Sequence, residues 1–553
     1  MSVDPIRAAA AAAAQRGDIG AARAVLAKGL EDHPGNAALA NSAGNLAMQA
    51  GAAEEAAALF ARAAKAEPQS LEYAVNHAIA LSRTGRHGEA VAVLDPLRAE
   101  GARDRRYCST RAAAERSAGD LAAAQQWYDR ALALEPGNAR ALHGRARVAI
   151  ERGEPDAAAR FERALAANRG EADLWLGLAQ ALDVAGEADQ ARAIAEQLAA
   201  QAPHWTEALR FLAQLRLAAG EADFAAPYAE AEARLPGDPA IPFAHAEVLA
   251  GLGHAQAAAE VAARARARFP ADTSLALLEA VHAGTLGENA RAEAIFAALN
   301  DESPQRFLHE ARHRLRLGDY ERAGALLDRA AQDMPWAIEV WALRGIAWRL
   351  AGDPRAEWLH GQPGLTGLLP LPGAADVLAA ARPLLHRLHD GSPLPLGQSL
   401  RGGTQTRGRL FDRAEPELAA LHAALTAALE DYRAGLPPAD PAHPLLRHRD
   451  AGWRITGSWS VRLTGGGDHH TAHIHPQGIV SSALYIDLPD LGTDEGRLEL
   501  GRPAPDLHIA AGPIASFAPR AGYLALFPST LYHGTTPFGA GRRMTAAFDV
   551  QTA

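Results

Sequence analysis

Apolar residues recur at helical spacing through the first 355 residues of the chain, in pairs of short stripes separated by polar turns. Positions three or four residues apart lie on one face of a helix, so each stripe predicts an amphipathic helix with one buried side. The unit 37–70 shows the pattern, with stripes at Leu39, Ala43, Leu46 and Ala47 and then at Ala57, Leu59, Phe60, Ala63 and Ala64. A break at Pro68 comes next, because proline cannot continue a helix. Each unit is therefore predicted to be a helical hairpin.

A glycine marks the turn inside each unit, and these glycines recur at intervals of 31 to 34 residues. They are Gly17, Gly51, Gly85, Gly119, Gly153, Gly186, Gly220, Gly253, Gly287, Gly318 and Gly352. A period near 34 indicates a solenoid, in which each unit buries its apolar face only against its neighbours. With its alanine-rich helices, the region resembles the tetratricopeptide repeat family over residues 5–355. We predict about ten hairpins and a capping helix in residues 1–355. The resemblance implies a concave groove that holds a peptide or protein partner.

The period stops after residue 355, where segments rich in glycine and proline mark a boundary. Residues 356–450 are predicted to connect the array to the last hundred residues and to support them, with amphipathic helices over 375–389 and 416–436. The polar, glycine-broken segment 398–406 lies between these helices. It could cross the mouth of a site and offer Arg401 to an anion, or it could be a surface loop or edge strand.

From Trp453 onward the pattern changes to short runs of β-forming residues separated by glycine and proline turns. The runs are 458–463, 479–486, 496–500, 514–519, 522–528 and 544–550. Short strands at this spacing predict a sandwich or jelly roll in residues 451–553. The predicted fold class is therefore α+β and multidomain, with an all-α repeat array before a β domain.

Four histidines fall within seven residues, from His469 to His475. Clustered histidines are typical of metal sites, although a solvated histidine-rich loop would have the same composition. Side chains alternate along a strand, so His473 and His475 would project to one face and could hold one ion. His533 comes 58 residues after His475, at the end of another strand. Two close ligands and a distant third are the order that builds a facial triad on Fe(II).

Arg543 comes ten residues after His533 and opens the last strand. Its planar guanidinium can bind the distal carboxylate of a dicarboxylate in a geometry that lysine cannot match. Thr545 would point the same way, because one strand residue separates the two.

In this order of residues, from Trp459 to Val550, the sequence resembles the 2-oxoglutarate- and Fe(II)-dependent dioxygenases of the prolyl-hydroxylase-like branch. His-x-x-His-x-His-Pro, Ser-Ser-Ala-x-Tyr and Leu-Arg-Gly-Gly-Thr-Gln-Thr bring it closest to a bacterial group in which this domain comes after tetratricopeptide repeats. The resemblance implies a double-stranded β-helix, Fe(II) on the histidines, 2-oxoglutarate on Arg543 or its neighbour Arg542, and dioxygen as co-substrate. It also implies a role for Tyr485 on the 2-oxoglutarate carboxylate, although a core aromatic would fit that position equally.

One position departs from the family pattern, which has His-x-Asp or His-x-Glu where this chain has His473-Ile474-His475. Three neutral imidazoles would still bind Fe(II), leaving the site one charge more positive than two imidazoles and a carboxylate. Alternatively only His473 and His533 bind, and water or a nearby carboxylate completes the ligand set. Asp468 and Asp487 are the nearest carboxylates in sequence. His470 could ligate or hydrogen-bond to a ligand ring.

Composition narrows the class of protein further. A net charge of −10 over 553 residues argues against nucleic acid as the main partner, because phosphate binding needs concentrated Lys and Arg. The single cysteine, Cys108, excludes an intramolecular disulfide framework and fits a reducing compartment. No apolar stretch has membrane-spanning length. The alanine run near the N-terminus superficially resembles a signal sequence but lacks bulky apolar residues and a separate cleavage region, so no membrane partner and a cytoplasmic location are expected.

Together these observations predict a dioxygenase that hydroxylates a peptide or protein side chain recruited by the repeat groove. Two alternatives stay open: the same oxygenase acting on a small molecule, and a scaffold protein whose metal-binding β domain is catalytically inactive. A cupin-like zinc hydrolase fits less well, because Arg543 and Thr545 would then lack a purpose.

Overall fold

The computed structural model describes residues 3–396 and 399–552, so Gln398 of the predicted segment 398–406 lies outside the described residues. The chain separates into two compact units, residues 1–185 and residues 186–553. The first unit consists of helices. They are α1 (Asp4–Gln15), α2 (Ile19–Asp32), α3 (Ala37–Gln49), α4 (Ala53–Ala66), α5 (Leu71–Arg83), α6 (His87–Leu94), α7 (Arg98–Gly101), α8 (Arg105–Ala118), α9 (Leu121–Leu134), α10 (Ala139–Glu151), α11 (Ala157–Ala167) and α12 (Ala172–Val184).

Local sequence explains where these helices begin and why they pack closely. The Asn36 and Ser70 side chains accept a hydrogen bond from the backbone amide three residues on, which caps α3 and α5. All eleven turn glycines of the period have φ between 65° and 96°, a region that other residues rarely adopt. Inside α3, Gly44 lies against the Phe60 ring, where a Cβ would come within 2.6 Å of a ring carbon. The predicted hairpins are therefore present.

The second unit begins with ten more helices of the same kind and continues into two further helices. The first ten are α13 (Ala188–Gln201), α14 (Thr206–Ala218), α15 (Ala226–Arg234), α16 (Ala240–Gly251), α17 (Ala255–Arg268), α18 (Thr273–Thr285), α19 (Asn289–Ala298), α20 (Pro304–Arg316), α21 (Tyr320–Asp333) and α22 (Ile338–Ala351). The last two, α23 (Ala374–Asp390) and α24 (Pro416–Gly435), agree with the two helices expected between the array and the strands.

The strands of the second unit form antiparallel sheets. They are β1 (Gly367–Pro370), β2 (Leu400–Arg401), β3 (Thr404–Gln405), β4 (Trp453–Gly465), β5 (His469–His470), β6 (Val480–Asp487), β7 (Leu498–Leu500), β8 (Ala515–Phe517), β9 (Tyr523–Pro528), β10 (His533–Thr535) and β11 (Ala540–Thr552). The large sheet has the order β1-β9-β6-β11-β4-β3, a smaller one has the order β10-β7-β8, and β2 pairs with β5. The predicted α+β class, with an α array before an antiparallel β region, is confirmed.

The two faces of the large sheet have different neighbours. Met544, Ala546, Phe548 and Val550 point to one face, where they share a core with apolar residues of α23 and α24. Alternate residues of the same strand point to the other face, among them Arg543 and Asp549. On that face Phe527 packs against Leu498 and Leu500 of the smaller sheet. The helices therefore close one side of the large sheet and leave the other side for a site.

Helices α20 and α22 pack directly on the β region. Leu315 and Leu343 share a hydrophobic core with Leu507 and Tyr532. Two arginines of α20 hold Asp506: Arg312 Nε and Nη2 donate to its carboxylate at 2.8 and 2.6 Å, and Arg316 Nε donates to its carbonyl oxygen at 2.6 Å. Because these contacts join the last repeats to the strands, the boundary between compact units falls within the predicted array 1–355. Among the described residues, no helix combines the length and apolarity needed to cross a membrane.

The pair of Arg312 and Asp506 predicts a loss of stability in acid. The neighbouring guanidinium groups outweigh burial and lower the pKa of Asp506 from 3.8 to about 2. The ion pair is therefore fully stabilising above pH 4 or so, and its contribution of about 2–3 kcal/mol is lost as the pH falls through about 2. We expect Asp506→Asn to lower the free energy of unfolding by that amount at pH 7, measured by urea denaturation followed by circular dichroism.

Asp328→Asn is the matched control. Asp328 also pairs with an arginine but is 69% exposed, so its loss should cost less than about 0.5 kcal/mol. Equal effects of the two substitutions at pH 7 would contradict the structural role of Asp506.

Candidate metal centre

Two imidazoles that are close in sequence and a third that is 58 residues further along meet at one end of the β region. His473 comes after β5 and pairs with His533 of β10 through two backbone hydrogen bonds, of 3.0 and 2.9 Å. His475 lies beside them, with 3.0 Å between the Nε2 atoms of His473 and His475. One ring nitrogen from each of the three residues lies within 4.8 Å of the others. The structure thus brings together the three histidines predicted to ligate one ion.

Each of the three rings is held through its other nitrogen. The Nδ1 of His473 donates to the carbonyl oxygen of Thr471 at 2.8 Å, and the Nδ1 of His533 donates to that of Leu531 at 3.2 Å. The Nδ1 of His475 donates to the Asp549 carboxylate at 2.6 Å. These acceptors place the proton of each neutral ring on Nδ1 and leave the Nε2 lone pair for a metal ion.

The donor set fits a first-row divalent metal. Burial and the neighbouring imidazole lower the pKa of His473 to about 3, and the same causes lower the pKa of His533 well below its ordinary value. Both rings are therefore neutral at pH 7, as ligands must be.

Asp549 is the carboxylate of this site that sequence proximity did not reveal. Asp468 and Asp487, the expected candidates, lie elsewhere: Asp468 accepts from the backbone and hydroxyl of Thr464, and Asp487 pairs with Arg382 and His386. The signal that could have found Asp549 is strand alternation. It lies six residues after Arg543 on β11 and therefore faces the same side of the sheet.

The remaining histidines of the cluster take different positions. The His470 ring lies 3.2 Å from the Ser399 hydroxyl, and the same hydroxyl donates to Nε2 of His473 at 3.2 Å. His470 thus contacts a candidate ligand ring through one serine, and Ser399 must release Nε2 when His473 binds an ion. His469 donates to the carbonyl oxygen of Gly467 near the surface and does not face the cluster.

A buried arginine and tyrosine lie on the same sheet face. The guanidinium carbon of Arg543 is 5.4 Å from the centre of the Tyr485 ring, and their exposed fractions are 3% and 0%. Burial lowers the pKa of Arg543 and raises that of Tyr485. Among the described residues, the Tyr485 hydroxyl and the Nε and Nη1 atoms of Arg543 have no hydrogen-bond partner. Each orphaned buried group costs about 1–3 kcal/mol, so the pair fits a carboxylate ligand.

Three further residues singled out in the sequence, Thr545, Arg542 and Arg401, have different positions relative to Arg543 and Tyr485. Thr545 pairs in register with Tyr485 and shares its face, whereas Arg542 is exposed. Arg401 lies in a cavity of about 500 Å³ with Trp459, His473 and His475, and it donates to the carbonyl oxygens of Leu400 and Gly251. The polar segment ending at residue 406 therefore does reach the mouth of the site.

Comparison with known families agrees with this geometry. The family model described as "Putative 2OG-Fe(II) oxygenase" matches residues 457–549. This match includes the three clustered histidines, Tyr485, Arg543 and Asp549. The tetratricopeptide repeat model matches residues 47–114, 115–161 and 155–215. Both resemblances read from the sequence are confirmed.

Solved structures similar to the chain are repeat proteins. A tetratricopeptide repeat protein from Parabacteroides merdae is 19% identical, with coverage of 44% of this chain and 96% of that chain and a TM-score of 0.37. PilW, a type IV pilus biogenesis factor, is 21% identical over 36% of this chain and 93% of its own, with a TM-score of 0.34. No curated protein matches the chain at a significant level.

The free energy of unfolding tests whether the Tyr485 hydroxyl lacks a hydrogen-bond partner. Because Tyr485→Phe removes a buried group without a partner, we expect the free energy of unfolding to stay constant or rise by up to about 1 kcal/mol. Tyr432→Phe is the control, since that hydroxyl donates to the carbonyl oxygen of Leu365 at 2.7 Å; its loss should cost about 1–2 kcal/mol. Urea denaturation measures both. A loss at Tyr485 as large as that at Tyr432 would show that the hydroxyl is satisfied within the protein.

Proposed function

We propose that residues 451–553, supported by 356–450, form an Fe(II)- and 2-oxoglutarate-dependent dioxygenase that hydroxylates a peptide or protein side chain. The observation that supports this most directly is the cluster of His473, His475 and His533, whose rings are all held through Nδ1. The cluster lies within the segment that matches the oxygenase family model.

His473, His475 and His533 would hold the iron through Nε2. Three protein ligands leave positions open on a six-coordinate ion for 2-oxoglutarate and dioxygen. When bound, this set supplies an oxidant that inserts an oxygen atom into a C–H bond of the substrate. The chain's own task is to keep His473 and His533 neutral, which burial accomplishes, and to aim the three rings, which the acceptors on Nδ1 accomplish.

Arg543 would pair with the distal carboxylate of 2-oxoglutarate, and the Tyr485 hydroxyl would donate to the same group. Both are buried and carry unpartnered donors among the described residues. A carboxylate would neutralise the buried guanidinium charge and satisfy these donors in one step. Thr545, the cross-strand neighbour of Tyr485, would line this end of the site.

The histidine in place of the family's acid does not leave the site without a carboxylate. Asp549 accepts from His475 at 2.6 Å, so its negative charge lies one ring away from the metal position. A carboxylate in this place makes the imidazole a stronger donor and offsets part of the extra positive charge. The observation favours a working metal site over the alternative of a scaffold protein with an inactive β domain.

The repeats would present the substrate. Tetratricopeptide arrays hold peptides in a concave groove, and α20 and α22 pack directly on the β region. A peptide lying along the helices before α20 would therefore end near the histidines. A small-molecule substrate would need no such groove.

Iron binding tests the core of the proposal. We expect the chain purified without oxygen and loaded with Fe(II) to hold about one iron per chain, and His473→Ala to hold less than about a tenth of that. His469→Ala, a change at a nearby histidine that does not face the three rings, should keep its iron. Elemental analysis measures the metal, and succinate released from 2-oxoglutarate measures turnover. Iron-free protein with neither succinate release nor stabilisation by 2-oxoglutarate would favour the scaffold alternative.

Lysine substitutions test whether Arg543 or its neighbour Arg542 binds 2-oxoglutarate. Because lysine cannot form the forked pair, Arg543→Lys should raise the apparent Kd for 2-oxoglutarate about 10- to 100-fold. Arg542→Lys, at an exposed position, should change it by less than about twofold. The measurement is the shift in melting temperature of iron-loaded protein with 2-oxoglutarate concentration. The reverse order of effects would assign the carboxylate to Arg542.

A further inference from the structure

A second cavity, of about 1000 Å³, lies within the second unit along the inner helices of four successive hairpins. Residues of α14, α16, α18 and α20 line it. Neighbouring packed helices lie about 8–10 Å apart, so the cavity extends for about 25–30 Å. An extended peptide of about eight or nine residues spans that length.

More acidic than basic side chains line the cavity. Glu207, Glu247 and Asp301 line it, against one arginine, Arg210. Among the described residues, Glu207 and Glu247 are exposed and make neither an ion pair nor a side-chain hydrogen bond. Desolvation raises the pKa of the Glu247 carboxyl, and the charge of Arg210 acts in the opposite direction. A cationic ligand side chain could therefore pair with these carboxylates without displacing a protein partner.

The wall beside Glu247 suits a long cationic side chain. Phe243 and Glu247 are four residues apart on α16, so the ring and the carboxylate lie on the same helix face, and both line the cavity. An aromatic ring attracts a cation and packs against the methylene stem that carries it. A lysine or arginine side chain could thus lie along Phe243 and end at Glu247.

Two imidazoles at the far side of the cavity are short of hydrogen-bond partners. His282 is 6% exposed, and burial lowers its pKa to about 4; burial likewise lowers the pKa of His309 to about 4. Among the described residues, Nε2 of His282 and Nδ1 of His309 have no partner. Two neutral, unsatisfied rings in a cavity wall fit the amide groups of a peptide backbone.

The cavity adjoins the metal centre. Gly251, the last residue of α16, lines both this cavity and the one that contains His473 and His475. Arg401 donates to the carbonyl oxygen of Gly251 at 3.5 Å. A chain that runs along the inner helices past Gly251 therefore arrives at the histidines.

We propose that this cavity, defined by Glu207, Phe243, Glu247 and His282, binds a basic segment of the polypeptide that the metal centre hydroxylates, with a lysine or arginine at Glu247. The inference rests on the proposed function, which leaves the substrate sequence undefined. It names the substrate class: a peptide with a basic residue within about nine positions of the reacting side chain.

A position-scanning library of fluorescein-labelled nonapeptides tests the proposal, with one position fixed at a time and binding measured by anisotropy. The full chain is used without iron, so that the outcome does not depend on metal binding or turnover. We expect lysine or arginine to bind about tenfold more tightly than aspartate or glutamate at one or more positions. Glu247→Gln should reduce this preference below about threefold, and Glu247→Lys should reverse it.

Glu260→Gln on the outer helix α17 is the matched control, because Glu260 is exposed and bonded to Gln256 away from the cavity; it should keep the full preference. Melting temperatures check that each variant folds, and Glu207→Gln supplies a second variant one helix away. A flat or acidic preference, an unchanged preference in Glu247→Lys, or no measurable binding of any sublibrary would overturn the proposal. Iron binding and 2-oxoglutarate binding are measured in separate experiments, so failure of the peptide assay would leave the proposed function untouched.

Discussion

The geometry of the candidate centre depends on hydrogen bonds that the three imidazoles make on the side away from one another. A neutral imidazole has one proton for two nitrogens, so an acceptor at Nδ1 decides that Nε2 carries the lone pair. Two carbonyl oxygens and one carboxylate perform this task for His473, His533 and His475. Without them, two neighbouring nitrogens 3.0 Å apart could share a proton and would not be set to receive a metal ion.

Those acceptors stay in place because the β region is supported from two sides. Helices α23 and α24 cover one face of the large sheet, and the last repeats pack against the loop that carries Asp506. The repeats are thus part of the structure that holds the site, as well as a surface for partners. The same arrangement covers part of α20 and α22 and leaves the cavity along α14, α16, α18 and α20 open.

Much of the fold was predictable from the sequence because it depends on regular spacings between nearby residues. The glycine interval predicts the hairpins, and strand alternation places Thr545 beside Arg543. His473 and His475 do lie side by side, but His473 is an isolated β-bridge and His475 lies outside any strand, so the strand expected there is absent from these described residues. The contact of Asp549 with His475 joins residues 74 positions apart, and proximity in sequence pointed instead to Asp468 and Asp487. The division of the chain near residue 185 was also hidden, because it depends on which repeats contact the chain after residue 355, as Gln214 does through hydrogen bonds with Leu394 and Leu396. Such contacts are set by three-dimensional packing, which leaves little local trace in the sequence.

With a histidine at position 475, a negative charge is still present beside the three rings, but it lies on Asp549. In a ligand set with a carboxylate, the charge would touch the metal directly. Here it sits on Asp549, and the His475 ring passes its effect to the metal position through one short hydrogen bond. Without the carboxylate, Nδ1 of His475 would lose its acceptor, and the ring would lose the tautomer that the proposed metal ligand needs. In the proposed centre the ring and the acid would therefore act together, and Asp549 of a different strand would supply the negative charge that the motif lacks.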